Sequence, residues 1–302
     1  MKKTMIAAAV GAAMLVPFAA SANPVVYGKV DVGVMYNETD STDGSWDVVD
    51  GASRLGVKGS EDLGNGMSAI YQFEFSVDAS DSGTLGGRLA YAGISGGFGT
   101  VAVGRQWTPY YNTVDKTDIF NVADSQAHYL GPYRVGNAVA YVSPTFSGVT
   151  VTGALIMAAN GEDEDLLGTD VDIYNVSVDY ANGPLSAGFS YLGTADKVDA
   201  TLWGLAGSYN FGSFALIGQY ENADLGGAEA DAFGLGGEVY LGNNTIRAVY
   251  GNVDPDGGDS YSNWTLGVEH ALSKRTALWA EYESADDYDG SQTFALGLRH
   301  DF

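Results

Sequence analysis

The chain has 302 residues, no cysteine and a formal net charge of −24. That acid excess excludes nucleic acid as a partner, and the missing cysteines exclude a disulfide-stapled scaffold. Disorder is excluded too, because 45% of the residues are hydrophobic and 12% aromatic.

Taken in order, the chain opens with an export signal. Lys2 and Lys3 precede an apolar run over residues 5–18, and Ala20-Ser21-Ala22 fits the small-x-small cleavage rule. The run is shorter than the ~20 residues a spanning helix needs. Cleavage near Ala22 is expected to separate a signal over residues 1–22 from a single domain over residues 23–302. Losing the two lysines would deepen the charge from −24 to −26.

From residue 25 onward the chain alternates with period two, which marks strands. In residues 25–36, Val26, Val30, Val32 and Val34 share one face while Lys29 and Asp31 take the other. Residues 37–47 read as a polar loop. Residues 53–60 set Leu55 and Val57 against Arg54 and Lys58. An Asn65-Gly66 turn leads into residues 67–77, where Tyr71, Phe73 and Phe75 oppose Gln72 and Glu74. Strands over 88–95 and 100–106 follow.

No further strand starts until Arg134. The 28 residues between form a connection too long to be a mere link in a compact fold. Trp107, Tyr110, Tyr111, Phe120, Tyr129 and Tyr133 predict that this stretch packs. It also carries Asp115, Asp118 and Asp124. Later strands are expected over 134–143, 148–158, 171–181, 185–193, 200–210, 213–222, 231–242, 245–252, 261–272, 276–285 and 291–302. No helical periodicity of useful length occurs.

Sixteen strands, with short turns on one rim and longer loops on the other, predict an all-β transmembrane antiparallel barrel. The long third loop, residues 107–133, is expected to fold into its lumen. In lipid every backbone polar group must be satisfied within the protein, so the sheet must close. Lys29, Arg54, Lys58, Arg88 and Arg134 must then face inward, since each would cost ~2–4 kcal/mol toward lipid at mid-depth. A soluble β-sandwich fits poorly, because a charged face cannot fill a dry core. Barrels of about 16 strands leave an aqueous lumen, whereas those of about 8 fill with side chains. Tyr27, Tyr36, Tyr71, Tyr91, Tyr191, Tyr240, Trp264 and Tyr282 are expected in interfacial girdles. Arg105 shares the parity of Val101 and Val103, which points it outward near a rim or a subunit contact, with Asp78 or Asp81 of a neighbour as its partner.

Several runs resemble the general diffusion porins of Gram-negative outer membranes. They are Val26-Tyr27-Gly28-Lys29, SRLGVKGSEDLGNGMSAIYQFE over 53–74, GGRLAYAGISGGFGTVAVGRQ over 86–106, YRVGNAVAYVSPTFSG over 133–148, and the terminal Phe302. The resemblance implies a homotrimer in the outer membrane, in contact with the lipid bilayer and lipopolysaccharide. It implies a pore constriction in which Lys29, Arg54, Arg88 and Arg134 form the basic cluster and Asp118 the acidic position on the loop. Where the family continues Pro-Glu-Phe-Gly-Gly, this chain has Asn121-Val122-Ala123-Asp124-Ser125, so Asp115 or Asp124 is the expected second acid.

Opposed charges across a constriction would set up a transverse field that orders water and favours dipolar solutes. The expected function is therefore a water-filled channel for passive diffusion of ions and small hydrophilic solutes, with a weak cation preference from the acid excess. A substrate-selective channel and a non-conducting structural or adhesive barrel are the alternatives. An enzyme is not expected. His128, His270 and His300 are the chain's histidines, and no Gly-x-Ser-x-Gly elbow or metal-spaced pair accompanies them. No cofactor is implied. The acidic runs 162–165 and 254–259 suit Ca²⁺ in charge but lack the spacing of a calcium loop, and read as solvated surface.

Overall fold

A computed structural model describes residues 24–122, 128–157, 171–195, 199–286 and 290–302. The expected signal, Asp124 and the acidic run 162–165 lie outside these residues. Seventeen strand segments follow in chain order: β1 (Val25–Thr39), β2 (Thr42–Asp50), β3 (Arg54–Gly64), β4 (Met67–Val77), β5 (Leu85–Gly96), β6 (Gly99–Trp107), β7 (Arg134–Val142), β8 (Val149–Met157), β9 (Val171–Asn182), β10 (Leu185–Thr194), β11 (Ala200–Asn210), β12 (Phe214–Leu225), β13 (Glu229–Leu241), β14 (Asn244–Pro255), β15 (Tyr261–Ala271), β16 (Thr276–Ala285) and β17 (Ser291–Asp301). A short helix, α1 (Pro109–Val114), lies in the long connection between β6 and β7.

From β3 onward each strand pairs antiparallel with the next, β2 pairs antiparallel with β1, and β1 pairs with β17 from Lys29↔Asp301 to Thr39↔Ser291. That last pairing closes the sheet. Segments β2 and β3 both face β1, along Val32↔Asp50 and Lys29↔Arg54, across a one-residue bulge. They form one bent stave, so the closed barrel has sixteen. The polar segment 37–47 is therefore strand rather than loop: a turn at Asp40-Ser41 joins β1 to β2. Polar residues fill most of that stretch without an alternating apolar face, which hides the strand from a period-two reading.

The two faces of the wall invert the usual globular pattern. Val26, Val103, Leu216 and Leu235 are 54–62% exposed, while Asp31, Glu74, Asn175, Glu221 and Asn263 are at most 5% exposed. An apolar band of that size is not left in water by a soluble monomer. Of the expected girdle aromatics, Tyr36, Tyr71, Tyr191, Trp264 and Tyr282 fall on the apolar face. Tyr27, Tyr91 and Tyr240 do not: their hydroxyls donate to Glu74, Gln72 and Glu238 on the polar face.

Arg88 shows why parity alone misleads. Strict alternation would place it with Ala90, Ala92 and Ile94. A bulge opposite Glu74 and Phe75 turns it to the polar face, where Nε meets Glu74 Oε1 at 2.7 Å. Trp279 is a second polar-face anchor. Its Nε1 donates to Asp31 Oδ1 at 2.8 Å, and its ring lies over Gly33 and Gly297. A methyl at Gly33 would sit 2.7 Å from Trp279 Cη2 and 2.6 Å from Leu296 O. Gly33→Ala is expected to destabilise the barrel by about 1–3 kcal/mol through overpacking, read as a lower urea midpoint in detergent micelles.

Candidate functional site

The long connection leaves β6 at Trp107 and returns at Arg134. Its first turn is helical for local reasons. Thr108 caps α1 by accepting from Tyr111 N at 2.9 Å, and Pro109 occupies the first helical position, where no N–H is needed. Thr108 also ties the two limbs together. Its N–H donates to Tyr133 O at 3.0 Å and its hydroxyl to Pro132 O at 2.7 Å.

Wall acceptors on the polar face hold the loop. Tyr110 N donates to Asn175 Oδ1 at 2.7 Å on β9, and Tyr110 Oη to Glu221 Oε2 at 3.0 Å on β12. Leu130 N, from the returning limb, donates to the same Glu221 oxygen at 3.1 Å. Gln219 Oε1 accepts from Lys116 N, Thr117 N and Thr117 Oγ1. Glu281 on β16 accepts from Asn121 N and Nδ2 and from Val122 N, and Arg299 Nη1 on β17 donates to Asn121 Oδ1.

Glycines supply the space. On the polar face of β10, β11, β13, β14 and β15, a methyl at Gly188, Gly204, Gly234, Gly251 or Gly267 would meet Thr113, Tyr110 and Val114, His128, His128 again, or Phe120. Five staves thus offer a shallow trough that the loop's larger side chains fill. Burial pushes the hydroxyls of Tyr110, Tyr111 and Tyr129 up, so all three stay neutral, and Tyr110 and Tyr111 donate to Glu221 and Asp118.

The basic residues gather on the opposite part of the wall. Lys29 and Arg54 are register partners, and Lys29 Nζ also meets Asp31 at 3.0 Å. Arg54 and Lys58 line a cavity of about 450 Å³ together with Tyr27, Gln72, Glu74 and the loop's Trp107. Lys58 lies over the Tyr27 ring at 4.8 Å. Arg88 and Arg134 both sit on the Trp107 ring, at 5.6 and 4.5 Å from its centroid. A ring face stabilises cations by about 0.5–2 kcal/mol each, so Trp107 offsets the repulsion between the two guanidinium groups.

The acids on the loop separate. Asp118 is exposed and accepts from Tyr111 Oη at 2.7 Å, and Tyr111 stacks on Trp107 at 4.4 Å. A single aromatic pair thereby links the two arginines to the loop acid. Asp115 is only 5% exposed. Burial, then the nearby Asp118 and Glu221 carboxylates, push it up. Beside it Lys116 is buried and pushed down, opposed by Asp179 and Asp115. Asp115 thus belongs to the loop's packing, not to an open charged surface.

A second charged group on the wall had escaped the sequence reading. Arg247 bonds Glu238 at 2.9 Å and Glu269 at 3.1 Å, and Arg299 meets Glu269 at 3.0 Å. The parity rule applied to β14 and β17 could have found it, since Arg299 alternates with Leu296 and Leu298. Arg105 is exposed on the apolar face. His270 and His300 are exposed near strand ends, bonded to Asn244 and Thr276.

The model of the Gram-negative porin family matches residues 7–290. The chain belongs to the Gram-negative porins. It is 32% identical to outer membrane porin protein 32 of Delftia acidovorans, over 99% of this chain and 93% of that protein. It is 30% identical to a major outer membrane protein P.IB of Neisseria meningitidis, over the whole of both. Among solved structures it resembles an anion-selective porin from Comamonas acidovorans, with a TM-score of 0.78, 25% identity, and 93% and 99% of the two chains covered. This porin is therefore an outer-membrane diffusion channel and not an enzyme.

Glu221 accepts one bond from each limb of the loop. Glu221→Ala is expected to raise hydrogen exchange at Leu130 about 10–100-fold, as the loss of a bond to a charged acceptor implies, while the sixteen staves keep their β-sheet circular dichroism.

Proposed function

We propose that this porin passes ions and small hydrophilic solutes passively, and that residues 107–133 lie within the lumen and set its narrowest section. The observation that carries this reading is the loop's attachment to the polar faces of staves β9 to β17, across a closed barrel whose other face is apolar. Lys29, Arg54, Arg88 and Arg134 act as the basic side of the constriction and Asp118 as its acidic side, with the stacked Trp107 and Tyr111 fixing their relation. Asp124 is retained as a further acid on the same loop. Water ordered by such a field is disrupted by apolar solutes, so polar solutes of equal size pass faster.

The chain is exported with residues 1–22 as a cleaved signal, and residues 23–302 act as one domain. It works as a homotrimer. Arg105 supports that state: an exposed guanidinium on the apolar face is better met by a neighbour's carboxylate, such as Asp78 or Asp81, than by lipid.

A weak cation preference follows from the acid excess, −26 once the two signal lysines are removed from the −24 of the whole chain, which concentrates cations at the mouths at low salt. The cavity wall favours a second reading, anion preference, because Arg54 and Lys58 both line it, and the Comamonas acidovorans porin with 25% identity is anion-selective. Salt separates the two, since ~1 M shortens the Debye length to about 3 Å and leaves only local charges active.

Single-channel recording across a salt gradient tests both. A cation-signed reversal potential at low salt that falls toward zero at high salt supports the first reading; an anion-signed potential at both supports the second. Asp118→Asn is expected to move the reversal potential toward anions. Unchanged conductance and potential in that variant would remove Asp118 from the constriction.

A further inference from the structure

His128 is 1% exposed, yet the channel chemistry above makes no use of it. It lies on the returning limb of the long loop, and its ring fills the notch left by Gly234 on β13 and Gly251 on β14. A methyl on either glycine would overlap the imidazole. The hydrogen-bond directions fix the tautomer. Lys116 N, Thr117 N and Thr117 Oγ1 all donate to Gln219 Oε1, so the Thr117 hydroxyl proton is committed there. Thr117 Oγ1 can then only accept from His128, at 2.9 Å, and Nε2 carries the imidazole proton. A second proton would have to enter at Nδ1, which is turned into the glycine notch at Gly251 with Asn263 beside it.

We propose that His128 is an acid-released latch: its neutral ring, seated between Gly234 and Gly251, holds the returning limb against the wall, and protonation unseats it. The effect on conduction rests on the reading that this loop narrows the lumen.

The surroundings do little to welcome a charge. β13 and β14 present glycines. β12 presents Gln219 and Glu221, the latter engaged by Tyr110, Leu130 and Gln219. β15 presents Asn263, which bonds Glu283 of β16 at 3.5 Å. On the loop itself Lys116 Nζ donates to Asn112 O, and Asp115 lies one residue further back. Burial therefore dominates, only partly offset by Asn263, and pushes His128 down to about 4. The free imidazole titrates near 6.5. The lowered value means that the docked state binds its proton later than the undocked state. Docking is at full strength above about 6.5 and weakens as pH falls toward 4, by up to about 300-fold in the docking equilibrium.

Hydrogen exchange at Leu130, corrected for the intrinsic pH dependence of exchange, reads docking directly in the full-length porin in micelles. Protection is expected to hold from pH 7.5 to about 6.5 and then fall by up to about tenfold per unit. His128→Gln keeps a donor for Thr117 and cannot titrate, so its protection should stay flat. An acid response that survives in His128→Gln assigns the effect to Glu221 and overturns the proposal, as does a flat response in the unmodified porin. Gly251→Ala evicts the ring and should reproduce the acid-state exchange at pH 7.5; full protection in that variant also overturns the latch. Single-channel conductance is recorded in parallel. If exchange responds to acid while conductance does not, the latch stands and the loop is not the constriction.

Discussion

Every other feature of this porin depends on one requirement: no backbone N–H or C=O can face hydrocarbon unpaired. A sheet meets it only by closing, and here β1 and β17 complete the ring along eleven register pairs from Lys29 to Thr39. Closure then sorts the side chains. Each stave has one face toward lipid and one away from it, so Leu, Val and Phe are exposed while Glu, Asn and Arg are buried. The charges on the polar face are not a stabilising device. They are what a wall facing away from lipid can afford, and pairs such as Arg88–Glu74 and Arg247–Glu238 keep them from being left unmatched.

The long loop solves a related problem. A stretch this long leaves many backbone groups to satisfy, and water cannot reach those pressed against the wall. Asn175, Gln219, Glu221 and Glu281 take up loop donors on staves far apart in sequence. The glycines of β10 to β15 let the loop sit close enough for those bonds to form. Side-chain volume and hydrogen bonding thus act together on the same segment.

Like-charged side chains are placed with equal economy. Arg88 and Arg134 share the Trp107 ring, and Tyr111 continues the stack to Asp118. The Trp107–Tyr111 stack stands between Arg134 and Asp118 and keeps those two charges apart, while Arg88 is closed onto Glu74 at 2.7 Å. A field across a water-filled section needs that separation, because a closed ion pair projects little beyond its own atoms.

The strands, their number and the direction of most charged side chains were legible from alternation, because lipid on one side and water on the other impose a period of two. Lys29 and Arg54 were readable in this way, and the family resemblance pointed to Asp118. Arg88 reaches the polar face for a reason alternation does not hold: its parity faces lipid, and only a bulge against Glu74 turns it. The tertiary structure alone decided the rest. It buried Asp115, turned Tyr91 to the polar face through the same bulge, joined Arg247 and Arg299 through Glu269, and seated His128 between two glycines. Those outcomes depend on which staves a loop meets across the barrel. Local alternation records the face of a residue but not what lies opposite it, and closure brings together partners more than a hundred positions apart.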